Sequence, residues 1–176
     1  MTIDIRRFIN NCTLCQMRKR NEIPGATEKY ATEVEAPFTH LGLDIIGPLP
    51  ITTRGNQYIL VIVDYFTKWV EAESSSSITS QDVVYFLSKI FARFGTPYTI
   101  TTDNGVQFNS DFTKIFLDLY DVYIKFTVTY HPESNGLTEN RNREIGKLLR
   151  LLGNKEKEWH LILPFALWAL RTSKNC

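Results

Sequence analysis

The sequence predicts an α/β fold built on a mixed five-stranded sheet with helices on both faces. Three observations carry this. Short β-rich runs come first, clustered between residues 41 and 72. Two further runs follow, each preceded by a stretch of helical periodicity, and the chain then ends in two helical stretches. The order β-β-β-α-β-α-β-α-α gives a meander of three strands, extended by two more that return through helical crossovers.

The elements follow in order. Leu41–Ile46 reads as a strand stopped by Gly47-Pro48. Tyr58–Tyr65 is a dense apolar run suited to a buried central strand. Trp69–Ala72 continues as a third strand after a turn near Phe66-Thr67-Lys68, and Ser74–Ser77 reads as loop. Thr79-Ser80-Gln81-Asp82 has the form of a helix cap, with Val83, Phe86, Leu87, Ile90 and Phe91 at helical spacing behind it. Gly95 ends that helix and Pro97 follows. Tyr98–Thr101 is a fourth strand. Ser110–Tyr120 is a second helix, with Phe112, Ile115, Phe116 and Leu119 on one face, and Tyr123–Val128 is a fifth strand. The Pro, Ser and Asn content of Thr129–Asn135 predicts a mobile loop hinged at Gly136. A third helix spans Leu137–Leu152, and a last one, Glu156–Arg171, carries Pro164, which predicts a kink.

Residues 1–36 differ from the rest. Ile3–Leu14 has the look of a short helix running into Cys12-x-x-Cys15, followed by Arg18-Lys19-Arg20 and a polar linker. The chain therefore divides at about residue 36, with one full domain over 37–176. Three cysteines in 176 residues argue against a secreted disulfide scaffold. Cys12 and Cys15 are half a zinc site, and His40, His131 and His160 do not complete it at ligand spacing, so zinc is not expected. No strand precedes the pair to make a redox motif. The first residues lack a signal peptide's apolar stretch, and the apolar runs Tyr58–Val63 and Phe165–Leu170 are too short to span a bilayer. The expectation is a soluble intracellular protein. A net charge of +1 excludes a uniformly basic chain, but the charge is uneven: residues 136–176 carry +4 and the remainder −3.

Three acids stand on strands or at the ends of elements: Asp44 within the first strand, Asp103 just after the fourth, and Glu139 in the first turn of the third helix. An Asp among aliphatics on a strand is costly unless paired or bound to a cation. Hard carboxylate oxygens suit Mg²⁺ or Mn²⁺. Each acid also has a plain reading: Asp44 as a loop contact, Asp103-Asn104-Gly105 as a turn, Glu139 as a charge favoured by the helix dipole. Asp64 is a rival acid, read as a turn contact before Thr67-Lys68.

Taken together, Asp44 and the 35 residues between Asp103 and Glu139 resemble the Asp–Asp–35–Glu core of retroviral and LTR-retrotransposon integrases. The likeness extends to Leu43-Asp44-Ile45-Ile46-Gly47-Pro48-Leu49-Pro50, Asp64-Tyr65-Phe66-Thr67-Lys68-Trp69, Phe94-Gly95-Thr96-Pro97 and Tyr130-His131-Pro132, which resemble the gypsy-type integrase. The resemblance covers about 37–171 and implies an RNase H-like fold. It implies that Asp44, Asp103 and Glu139 are catalytic and hold two divalent ions, Mg²⁺ or Mn²⁺. The implied activity is 3′-end processing of donor DNA and strand transfer into a target, in an oligomeric, nuclear form. It further implies that 1–36 is a remnant of a His-His-Cys-Cys zinc module keeping only Cys12 and Cys15. A truncated or domesticated integrase-like protein that binds DNA or protein partners without catalysis is the alternative, and an RNase H-type nuclease a weaker one.

On the third helix, Glu139, Arg143, Lys147 and Arg150 fall on one face, while Ile145, Leu148, Leu149 and Leu152 form a separate apolar stripe. Arg143, Lys147 and Arg150, with Asn135 just upstream, are the candidate DNA contacts. An ordinary solvated face with a Glu139–Arg143 ion pair is the competing reading.

Overall fold

The computed structural model describes residues 7, 11–12, 36–127, 136–152 and 158–173. The chain divides into two compact units, Met1–Tyr30 and Ala31–Cys176. In the first, Arg7 and Asn11 are helical and Cys12 is half-buried; Cys15 lies outside the described residues.

The second unit is built on a five-stranded sheet. Its strands are β1 (His40–Ile46), β2 (Tyr58–Asp64), β3 (Val70–Ser75), β4 (Thr99–Thr102) and β5 (Tyr123–Phe126). They lie in the order β3-β2-β1-β4-β5. β1, β2 and β3 pair antiparallel, whereas β4 and β5 join parallel to β1 through helical crossovers. The helices are α1 (Ser80–Phe94), α2 (Asp111–Leu119), α3 (Gly136–Leu152) and α4 (Trp159–Thr172). The third strand is longer than its sequence suggests: Ser74 and Ser75 extend the ladder opposite Ile59 and Tyr58. Pairing to a buried neighbour outweighs the low β-propensity of serine.

Alternation along the strands splits the core into two layers. Leu41, Leu43, Leu60, Ile62 and Ile100 face α1 and α2, packing on Val83, Phe86, Leu87, Ile90 and Leu117. Ile59, Val61, Val63 and Val70 face α3 and α4, packing on Ile145, Leu149, Trp159, Leu163 and Ala166. β2 supplies both layers, which is why its sequence is apolar throughout.

Local chemistry sets the helix ends. Thr79 and Asp82 form a reciprocal capping box: each side chain accepts from the other's backbone N–H, at 2.8 and 3.2 Å. α1 stops at Gly95, whose φ of 86° an L side chain rarely adopts. Ser110 caps α2, and Thr113 Oγ1 donates to the Gln107 carbonyl at 2.8 Å. These bonds fix the rotational phase of α2 with Thr113 and Leu117 inward. The Phe112, Ile115 and Leu119 stripe consequently points to solvent, and of the apolar set on that face Phe116 alone packs on the core. α4 runs through Pro164, which is exposed. An ion-pair cluster around the buried Glu71 ties α4 to the sheet: Glu71 pairs with Arg171 (2.7 Å) and the exposed Arg93 (3.2 Å) and accepts from Trp69 Nε1. Among the described residues no helix is long and apolar enough to cross a membrane.

Candidate active site

The site begins with the side-chain alternation of β1. His40, Gly42 and Asp44 share the face that looks toward α3. Gly42 is the contact point. A Cβ there would lie 2.1 Å from Thr138 Oγ1 and 2.8 Å from a ring carbon of Tyr65. Only a residue without a side chain lets the first turn of α3 settle this low on the strand. Thr138 is fully buried by that contact, and Glu139 follows it on the exposed side.

Asp44 is held from two directions. Its Oδ1 accepts from the Ile45 amide at 2.8 Å, and its Oδ2 accepts from Asn142 Nδ2 at 2.6 Å. Asn142 lies one turn beyond Glu139, so α3 brings an acid and an amide to β1 together. Asp103 extends from the end of β4, exposed, with Oδ1 accepting from the Gly105 amide at 3.0 Å. The turn role of Asp103-Asn104-Gly105 is therefore real, and it leaves Oδ2 without a hydrogen bond from the described residues.

Charge links the three acids. Burial pushes the Asp44 carboxyl up to about 6, against the pull of the Ile45 hydrogen bond. The negative charges of Asp103 and Glu139 raise it further, while the Asn142 bond lowers it. Tyr65 lies at the edge of the same field. Its phenol is raised first by burial, with Thr138 opposing and Asp44 and Glu139 adding. None of the ion pairs among the described residues includes Asp44, Asp103 or Glu139. The Glu139–Arg143 pair is not formed; Arg141 pairs instead with Glu144 at 2.6 Å.

The donor set has the chemistry of a hard divalent cation site: carboxylate oxygens with no ion-paired cation among the described residues. By distance, no three His, Cys, Asp or Glu side chains among the described residues stand close enough to ligate one ion as they are.

Asp64 has a different task. It is 1% exposed and accepts from the Phe38, Phe66 and Thr67 amides and from Thr67 Oγ1. It ties down the turn after β2, as its place in the sequence suggests. Arg143, Lys147 and Arg150 are all exposed with Glu139, and Ile145 and Leu149 are buried opposite. Asn135 and the Thr129–Asn135 segment lie outside the described residues. Sequence reasoning missed Gly42, Tyr65, Thr138 and Asn142. For Gly42 and Asn142 a signal existed: each is one repeat of its own element from a candidate acid.

An Integrase core domain family model matches residues 34–132, a stretch that includes Asp44 and Asp103 and ends before Glu139. The Transposon Tf2-3 and Tf2-4 polyproteins of Schizosaccharomyces pombe are each 34% identical over 149 residues, covering 83% of this chain. The chain spans only 11% of the length of those relatives. Among solved structures, it superposes on a chain from the simian T-cell lymphotropic virus intasome in complex with PP2A regulatory subunit B56 gamma. The TM-score is 0.69 at 24% identity, covering 96% of this chain and 60% of that one. That likeness is one of fold, the RNase H-like arrangement. With more than half of its residues matched by the family model, the chain belongs to the integrase core domain family.

Proposed function

We propose that this chain is the catalytic core of a divalent-metal-dependent polynucleotidyl transferase that trims DNA 3′ ends and joins them to a target strand. The observation that carries the reading is that β1, the end of β4 and the first turn of α3 meet at Asp44, Asp103 and Glu139, none of which is in an ion pair among the described residues. Asp44, Asp103 and Glu139 would hold the metal. Two bound Mg²⁺ or Mn²⁺ ions would activate the attacking water or 3′-hydroxyl and stabilise the departing 3′-oxygen. The chain's own groups orient and bind. Asn142 fixes the Asp44 carboxylate by donating to Oδ2. Gly42 and Thr138 set the depth at which α3 delivers Glu139. Arg143, Lys147 and Arg150 lie on the Glu139 side of α3, placed for phosphates of the donor strand. The partners in this reading are DNA and further copies of the chain, and chromosomal DNA as target puts the reaction in the nucleus.

The test is a strand-transfer or disintegration assay on the purified chain with Mn²⁺. Wild type should give product, while Asp44→Asn, Asp103→Asn and Glu139→Gln should each lose it by about a hundredfold or more, the scale of removing one electrostatic contact to the transition state. DNA binding with equal residual product in all four proteins would favour a non-catalytic DNA-binding role.

A further inference from the structure

α3 and α4 cover one face of the sheet over β1, β2 and β3, and their apolar layer draws no residue from β4 or β5. On that side the two outer strands carry polar groups. The register sets Gly42, Thr101 and Lys125 abreast, and Thr99 beside Tyr123. Alternation puts Tyr123 and Lys125 on the same face as His40, Gly42 and Asp44, while Ile124 and Phe126 turn to the opposite core. The side chains agree with the register. His40 Nε2 lies 2.7 Å from Thr101 Oγ1, and the His40 ring stacks on Tyr65, 4.5 Å between centroids. His40 also senses the charge of Lys125.

Lys125 is exposed and takes part in no ion pair among the described residues. Tyr123, two residues back, is 68% exposed. A large aromatic ring held in solvent on an outer strand covers none of the core. From Asp103 the line runs back about 7 Å along the strands to the level of Thr101, and about 5 Å across to Lys125. Asp103, Lys125 and Tyr123 are thus exposed on this face, each about 7 Å from the next along the strands, on either side of the buried Thr101. Single-stranded nucleic acid is commonly seated by this pair of groups, a cation for a phosphate and a flat ring on which a base stacks.

We propose that Lys125 and Tyr123 form a track along the exposed side of the edge strand β5 that seats the DNA strand leading away from the carboxylate site. Lys125 holds a phosphate and Tyr123 stacks on a base. The track rests on the reading that Asp44, Asp103 and Glu139 act on DNA. It predicts a single-stranded or unpaired stretch there, because a stacked ring needs a base out of its duplex.

The experiment compares wild type, Lys125→Ala, Lys125→Arg, Tyr123→Ala and Tyr123→Phe. Binding of a fluorescent DNA with a single-stranded 3′ overhang is followed against salt, and strand transfer with Mn²⁺ is measured over a range of DNA concentrations up to saturation. Lys125→Ala should flatten the slope of log affinity against log salt by about 0.7–0.9, one phosphate contact, and Lys125→Arg should restore it. Tyr123→Ala should weaken overhang binding about fivefold or more with an unchanged slope, and Tyr123→Phe should keep it. Both alanine variants should raise KM and leave kcat near wild type. Unchanged slope and affinity in both, with wild type active, overturns the track and leaves the carboxylate reading standing. Failure of wild type to bind DNA overturns both.

Discussion

Asp44 concentrates the energetic cost of the site. Its carboxyl is raised to about 6 by burial first and by the charges of Asp103 and Glu139 after it. The folded state therefore takes up a proton more readily than the unfolded chain, whose Asp titrates near 3.9. Stability contributed by this residue is greatest below pH 4 and falls as pH rises toward 6. In metal-free buffer, the stability of Asp44→Asn relative to wild type should improve by about 1–2 kcal/mol between pH 4 and pH 7, a partly solvated fraction of the full shift. Urea unfolding at the two pH values checks this, and a pH-independent difference would contradict it. The three candidate acids were singled out at this scale by spacing and flanking residues. Asn142 was not singled out, because an amide on a helix face has many ordinary roles and its partner, 98 residues away, is fixed only by the fold.

At the scale of elements, the strand–helix contact at Gly42 decides where Glu139 stands. Gly42→Ala forces a methyl group into Thr138 Oγ1 and the Tyr65 ring. It should cost about 1–3 kcal/mol and reduce strand transfer as α3 lifts from β1. Adding Thr138→Ala removes the closer obstacle and should recover part of both losses, a coupling of about 0.5–3 kcal/mol, whereas independent sites would simply add. α3 also carries the basic row. Replacing Arg143 and Lys147 by Ala should weaken binding about equally across DNA sequences and lower the salt slope by about one to two units; an unchanged slope would mark a solvated face. Elements were legible where caps and periodicity coincide, as in Thr79–Asp82 with the α1 stripe. They were less so in α2, whose most apolar face is its exposed one. There the phase is set by Ser110 and Thr113 hydrogen bonds rather than by hydrophobic pattern.

For the molecule as a whole, topology does the gathering. Two parallel additions to an antiparallel meander put the end of β4 beside the middle of β1, and the packing of α3 on β1 brings Glu139 to the same end of the sheet. The meander and its two helical additions followed from the order of elements, whereas the strand order itself and the Glu71–Arg171–Arg93–Trp69 cluster that ties α4 to β3 had no local signature, because the partners are scattered along the chain. The central claim is that Asp44, Asp103 and Glu139 act as one metal site. Thermal melting against Mn²⁺ concentration tests it most directly, because an ion that binds only the folded chain raises its stability by mass action. At a hundredfold excess over Kd, wild type should gain about 2.7 kcal/mol, on the order of 5–10 °C for a chain of this size. Asp44→Asn/Asp103→Asn, folded and melting cooperatively without metal, should show no rise. Equal shifts in the two proteins, or none in wild type, would contradict the account.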